Sequence, residues 1–321
     1  MIDPSAPDVL IVSGLDPSGG AGFIADTRVV HELGGRPIGV ISAQTVQDTN
    51  GVRSISPVDP ETFDDQLSAL LADIEIKAVK IGMLASMEAL QILDDHLAST
   101  NSPVIWDPIF APSQGTVAID PVLLREARVK LGRHATLITP NLRELAVLSG
   151  ATSMFASFGD AIAAAQKLAS MIECAVLVKG GHAVDAAVAA PNVRPGIEDE
   201  PEGLRTLDLE EEQPTLPDVQ PPVRSGKPMF VDVGDASFDL RAESIDVLVT
   251  TSGVDVIRGV RHGSPGTGSG VHGTGCALSS AIATLLARGG SLSSACREAK
   301  QFVAARIAGP VRPGRGAPSV L

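Results

Sequence analysis

The run His272-Gly273-Thr274-Gly275-Cys276-Ala277 leads without a break into Leu278-Ser279-Ser280-Ala281-Ile282-Ala283-Thr284-Leu285-Leu286. Two glycine turns are followed by a helix-forming pattern, with Ser and Ala on one side and Ile and Leu on the other. The first turn of such a helix exposes N–H groups without an intrahelical partner at the positive end of the dipole. That is an anion site, suited to phosphate oxygens or to charge that develops during phosphoryl transfer. Cys276 falls in this first turn, where the same field favours thiolate over thiol. A proton acceptor beside an anion hole is what moving a phosphoryl group onto a hydroxyl needs. The same residues read equally well as a glycine-rich turn into a core helix with a small buried cysteine.

Polar groups also stand where apolar runs stop. Val9–Gly14 ends at a turn, Asp16-Pro17-Ser18-Gly19-Gly20-Ala21-Gly22, which opens a helix reaching about Leu33. Val104–Trp106 ends at Asp107, Leu137–Thr139 at Pro140-Asn141, and Ala175–Val178 at Lys179-Gly180-Gly181-His182. In an open α/β sheet the carboxyl ends of the strands line one crevice. A single such residue is usually a turn former, but four on one edge predict a site. Asp26, one turn into the first helix, reads either as facing that crevice or as a solvated residue favouring a helix N-terminus.

The elements that must position these groups alternate. Further strands are expected at Pro37–Ala43, Val52–Pro57, Ala78–Ile81 and Val247–Thr251, with Gln44–Gly51 a polar loop. Met229–Val233 and Phe238–Arg241 read as a two-stranded flap. Helices are expected at Pro60–Ile74, Ser86–Ala98, Leu142–Ser149, Asp160–Met171, Ala277–Arg288 and Ser291–Ile307. The pattern predicts an α/β fold, a mostly parallel sheet covered by helices on both faces. The tail from Gly309 is expected to be loosely held.

With 321 residues, 44% of them hydrophobic, the chain suits a single large domain. The expectation is one domain over 1–321, interrupted at about 185–227 and by a glycine-rich loop at about 261–270. The first interruption is acidic and proline-rich and cannot offset its ordering entropy by burial. A net charge of −13 argues against nucleic acid or an anionic membrane as partner. No run approaches a membrane span and no secretory leader is visible. Cys174, Cys276 and Cys296 show no CxxC spacing, so neither a disulfide framework nor a zinc site is indicated, and the cytoplasm is the expected location. Gly268-x-Gly270-x-x-Gly273 follows a loop rather than a strand, which excludes a dinucleotide fingerprint. Gly226-Lys227 precedes Pro228, which excludes a P-loop.

Five stretches together resemble a known family. They are Gly14-Leu15-Asp16-Pro17-Ser18-Gly19-Gly20-Ala21-Gly22, Lys80-Ile81-Gly82-Met83-Leu84, Thr139-Pro140-Asn141-Leu142-x-Glu144, Lys179-Gly180-Gly181-His182 and His272-Gly273-Thr274-Gly275-Cys276. In this order they resemble the hydroxymethylpyrimidine/phosphomethylpyrimidine kinases of thiamin biosynthesis, in the ribokinase-like superfamily. The resemblance implies a three-layer α/β/α sandwich with a small flap, a homodimer, and ATP with Mg²⁺ at the sheet edge. It implies Cys276 as the base for the substrate hydroxymethyl group, and Gly273, Thr274 and Gly275 as the cradle of the transferring phosphate. Lys179 would neutralise nucleotide phosphate, and Asn141 with Glu144 would position Mg²⁺, with Asp107 near the metal. Gly14, Asp26, Gln47 and Met83 match positions around the pyrimidine.

The chain departs from the family at Phe110-Ala111-Pro112-Ser113-Gln114-Gly115, where a Lys is usual. It departs again before His272, where Val247–Arg261 and a glycine loop intervene. Two other readings stand beside the pyrimidine kinase. One is a pyridoxal/pyridoxine kinase of the same fold, and the other is a pyrimidine-binding protein without kinase activity.

Overall fold

A computed structural model describes residues 5–110, 119–180, 230–233, 236–239, 243–261 and 270–321. The acidic insertion, most of the glycine-rich loop, Ala111–Gly115, His182 and Met229 lie outside the described residues.

Apolar runs become strands in which alternate residues face opposite layers. β1 (Asp8–Leu15) turns Leu10 and Val12 to one face and Val9 and Ile11 to the other. β4 (Ala78–Ile81), β5 (Val104–Trp106), β6 (Leu137–Ile138) and β7 (Ala175–Lys179) repeat the pattern. With β2 (Arg36–Asp48), β3 (Gly51–Pro57), β10 (Glu243–Thr250) and β11 (Gly253–Val260) they form a nine-stranded sheet, ordered β11-β10-β7-β6-β5-β4-β1-β2-β3. Neighbours from β7 across to β2 run parallel; β3, β10 and β11 are antiparallel to theirs. β8 (Phe230–Val233) and β9 (Ala236–Asp239) form a separate antiparallel pair where the flap is expected.

One face of the sheet is covered by α2 (Pro60–Asp73), α3 (Met87–Leu97), α4 (Pro121–Lys130), α5 (Leu142–Ser149) and α6 (Phe158–Ile172). The other is covered by α1 (Gly22–Glu32), α7 (Thr274–Ala287) and α8 (Leu292–Ala308). This is the expected three-layer sandwich. The helix after β1 lies on one face and the helix after β4 on the other, although β1 and β4 are neighbours. A crevice opens where such windings diverge, outside the carboxyl ends of the strands.

Two expectations need correcting. Gln44–Gly51 is no loop: β2 continues to Asp48 and folds back as a hairpin with β3. The strand expected at Val247–Thr251 is present as the second half of β10, which with β11 forms a hairpin that extends the sheet. The tail from Gly309 is held firmly. Ser319 is paired with both Val311 and His272, Gly316 and Ala317 donate to Thr49, and Val320 is 3% exposed. Among the described residues no helix is long and apolar enough to cross a membrane.

Candidate active site

The site is built where α7 enters the sheet edge. Gly273 caps α7 at φ 84 with no side-chain cap bond, and the first turn has no acidic residue. The N–H groups of Thr274, Gly275 and Cys276 thus keep their capacity for an anion. Only glycine fits at 273: the backbone is left-handed, and a Cβ would collide with the Gly20 carbonyl. Gly22 (φ 59) is constrained in the same way against the Gly14 carbonyl. The glycine turn after β1 and the glycine turn before α7 therefore touch backbone to backbone.

Lys179, at the end of β7, lies beside this helix entry. A Cβ on Gly275 would sit 3.3 Å from Lys179 Nζ and 3.6 Å from Asp107 Oδ2, so the missing side chain leaves a cradle. Lys179 Nζ is 2.7 Å from Asp107 Oδ1 and 3.5 Å from Glu144 Oε2. Thr139 donates to Asp107 Oδ1 at 3.0 Å. Asn141 and Glu144 form a capping box on α5: the Glu144 N–H donates to Asn141 Oδ1, and the Asn141 N–H to Glu144 Oε2. Burial, aided by the charge of Asp107, raises Glu144 to about 7. Burial opposes charge on Lys179 too, but the two carboxylates overcome it and hold the ammonium above its usual range.

Two buried carboxylates that repel each other beside an open anion cradle suit a hard dication shared with phosphate oxygens. Among the described residues no three acidic, His or Cys side chains gather into a cage. Mg²⁺ keeps several waters and takes one or two carboxylates plus substrate phosphates. Asp107 and Glu144 are carboxylate donors of the kind such an ion takes.

On the other side of the helix entry, Gly14 meets Met83: a Cβ on Gly14 would collide with Met83 Cε. Ser42 Oγ donates to the Met83 carbonyl. Gln47, half-buried on the β2–β3 hairpin, lies 3.2 Å from His272 Nε2. Asp26 fits neither of its sequence readings as such. It has no exposed surface; Lys80 Nζ is 2.6 Å from Oδ2, and Ser280 Oγ donates to Oδ1 at 2.8 Å. It is an internal counter-charge behind the helix entry.

Cys276 corrects a second expectation. The helix field does not win: burial pushes the thiol up to about 12, with Lys80 pulling the other way and Asp26 and Asp107 adding to the rise. A half-charge at a helix end is a smaller effect than removing a thiolate from water.

Sequence reading gave no role to Lys80, Asp16 or His272, all of which hold the site together. Lys80 carried a signal, a lone cation in the otherwise apolar strand Ala78-Val79-Lys80-Ile81. Asp16 carried another, an Asp-x-Ser turn at a strand end.

The fold and this edge-of-sheet site together define a ribokinase-like α/β protein. A pyridoxal kinase of Bacillus subtilis, solved with ADP, superposes with a TM-score of 0.73 at 22% identity over 98% of this chain and 97% of its own. The profile of the phosphomethylpyrimidine kinase family matches residues 16–194 and 233–320, and the chain belongs to that family. It is 29% identical over 301 residues to a hydroxymethylpyrimidine/phosphomethylpyrimidine kinase of Streptomyces coelicolor, covering 94% of this chain and 88% of that protein. It is 37% identical over 194 residues to a thiamine biosynthesis multifunctional protein of Corynebacterium glutamicum, covering 60% of this chain. The match spans only 25% of that longer relative.

Proposed function

We propose that the chain carries out ATP-dependent phosphorylation of 4-amino-5-hydroxymethyl-2-methylpyrimidine, of its monophosphate, or of both, in thiamine biosynthesis. The observation that carries this is the meeting at one helix entry of an uncapped glycine turn, the Lys179–Asp107–Glu144 cluster and the Gly14–Met83 contact, in a chain of this family.

The roles follow from position. Gly273, Thr274 and Gly275 offer backbone N–H groups to the oxygens of the transferring phosphoryl group, whose charge is spread over three oxygens in the transition state. Lys179 neutralises phosphate charge by sharing the ammonium it now gives to Asp107. Asp107 and Glu144 hold Mg²⁺, with Asn141 fixing Glu144 through the capping box; the bound ion supplies electrostatic stabilisation to the phosphate oxygens. Gly14 and Met83, packed against each other, border the place of a flat ring, Gln47 reads its edge, and Asp26 with Lys80 sets the charge behind it. Cys276 is the base only as its thiolate: positive charge gathering at the helix entry lets the thiol release its proton to water, and the thiolate then takes the hydroxymethyl proton. Little covalent work is asked of the protein; positioning and electrostatics dominate.

A coupled assay for ADP formation, run side by side with the pyrimidine alcohol, its monophosphate and pyridoxal, tests the proposal. Turnover of at least one pyrimidine above pyridoxal is expected. Preference for pyridoxal would make the chain a vitamin B6 kinase, and binding without turnover would make it a pyrimidine-binding protein.

The working unit proposed is a cytoplasmic homodimer, each chain a single kinase domain with the acidic 185–227 segment as an insertion. A sedimentation mass near 33 kDa instead of twice that would count against the dimer. Loss of folding on excising 194–222 would count against a dispensable insertion.

A further inference from the structure

Thr45, Gln47 and His272 form a chain of contacts whose donors and acceptors balance in one way. As placed, Gln47 Oε1 faces Thr45 and Nε2 faces His272. Thr45 Oγ1 is 2.8 Å from the Leu15 carbonyl oxygen and 3.2 Å from Gln47 Oε1. A hydroxyl has one proton, and the shorter partner is a carbonyl, which only accepts. With its proton given to Leu15, Thr45 can only accept from Gln47, so the amide atom facing it must be nitrogen.

The other end gives the same answer independently. His272 Nε2 lies 3.0 Å from Asp16 Oδ2 and 3.2 Å from the amide atom of Gln47. Asp16 already accepts from the Ser18 N–H at 2.9 Å, the Ser18 hydroxyl at 2.7 Å and the Ala21 N–H at 3.0 Å. Burial works to raise its carboxyl, but the bonds from His272 and Ser18 outweigh burial and hold it below the usual range. A carboxylate only accepts, so His272 Nε2 carries a proton. A protonated nitrogen cannot accept from an amide N–H, so the atom facing His272 must be oxygen. Amide oxygen and nitrogen occupy nearly the same positions, and the network decides which is which.

We infer that His272 and Thr45 are positioning residues that lock the Gln47 amide with its oxygen toward His272 and its nitrogen toward Thr45, and thereby set which ring the site accepts. The single Nε2–H of His272, aimed at Asp16 at 3.0 Å, is shared with the Gln47 oxygen at 3.2 Å, and the outer N–H goes to Thr45, leaving one acceptor and one donor side by side at the tip. The amide cannot swap them without breaking bonds at both ends. A ring with an amino group beside a ring nitrogen pairs with this tip in a single sense. Pyridoxal carries an aldehyde and a phenolic oxygen in the corresponding place and lacks that pair. The specificity role rests on the proposed function, in which Gln47 reads the substrate edge; the amide orientation does not.

Two measurements on the full chain test this. In a ¹⁵N-labelled protein, long-range ¹H–¹⁵N correlations should show His272 protonated at Nε2. The Gln47 side-chain amide signals should move in Thr45→Val and stay in place in Thr45→Ser. In kinetics, Thr45→Val should lower the ratio of kcat/KM for the pyrimidine alcohol over pyridoxal by about tenfold, chiefly through KM, the worth of one oriented hydrogen bond. Thr45→Ser should keep the ratio. A His272 ring protonated only at Nδ1, or a ratio unmoved in Thr45→Val, overturns the inference. An unchanged KM in Gln47→Ala would instead sink the substrate-site reading and the specificity role with it, while the ring and amide signals would still decide the orientation.

Discussion

The ammonium of Lys179 lies 2.7 Å from Asp107 Oδ1, although the two residues are 72 positions apart and end different strands. The contact exists because β5 and β7 are parallel and flank β6, so their carboxyl ends open on the same side. It gives the helix entry a fixed cation that is held in place before any phosphate arrives. Preorganised charge of this kind needs no rearrangement at the moment of reaction.

Lys179→Met should therefore lower kcat by about 10²–10³-fold, the usual cost of removing one preorganised stabilising group. Steady-state kinetics with the pyrimidine alcohol at saturating ATP, with circular dichroism to check the fold, would measure it. A loss below about tenfold would take Lys179 out of the machinery.

The Lys80–Asp26 pair has no solvent exposure on either side chain. Burial raises the Asp26 carboxyl; burial also opposes charge on Lys80, but the charge of Asp26 beside it, with Asp107, outweighs burial and holds the ammonium above its usual range. Removing one partner strands the other charge, so Lys80→Met should cost about 3–5 kcal/mol in denaturant unfolding. The double change Lys80→Met with Asp26→Asn should cost less than Lys80→Met alone. A single-variant loss below about 1 kcal/mol would mean that the pair is solvated in solution.

All three cysteine thiols are raised by burial, each to about 12 from 9.0. The folded state keeps these protons through an interval in which the unfolded chain loses them. Stability should therefore fall as pH climbs from about 9 toward 12. At pH 8 iodoacetamide should spare Cys276, Cys174 and Cys296 in the native protein and modify all three in denaturant, as read by peptide mass spectrometry. Rapid native labelling of Cys276 would mean that its thiolate is populated without ligand. Cys276→Ala should still cost about 10²–10⁴ in kcat, the range for a positioned base, with little change in KM.

Gly273→Ala forces a left-handed backbone onto a residue with a side chain and drives its Cβ into the Gly20 carbonyl. The variant should lose activity by at least about tenfold and unfold at lower temperature, since a strained non-glycine residue alone costs about 1–3 kcal/mol. Wild-type kinetics and melting would show that the two glycine turns can part without consequence.

The sequence made the strand ends legible because a buried parallel strand is an apolar run, and Asp107, Asn141 and Lys179 interrupt such runs visibly. Helix α5 announced itself through Asn141 and Glu144 three residues apart, with Gly150 beyond. What stayed hidden was long-range. The β2–β3 hairpin projects from the sheet, so Gln44–Asp48 lacks an apolar face to betray a strand. Asp26 finds its partner 54 residues away, and nothing in its own helix says so. The acidity of Cys276 was misjudged for the same reason: the dipole is a local property, whereas burial depends on everything packed around the thiol. The tail looked like a loose Pro/Gly/Arg segment, yet Pro318 and Val320 straddle His272 with backbone hydrogen bonds.

That last arrangement has a kinetic consequence. Ser319 donates to the Gly20 carbonyl across 299 residues, and the same short segment knits to His272 and Thr49. Closing so large a loop is slow compared with forming helices or neighbouring strand pairs. During refolding from denaturant, far-ultraviolet ellipticity should return first and the capacity for turnover afterwards, because the proposed catalytic edge is joined by contacts that span nearly the whole sequence.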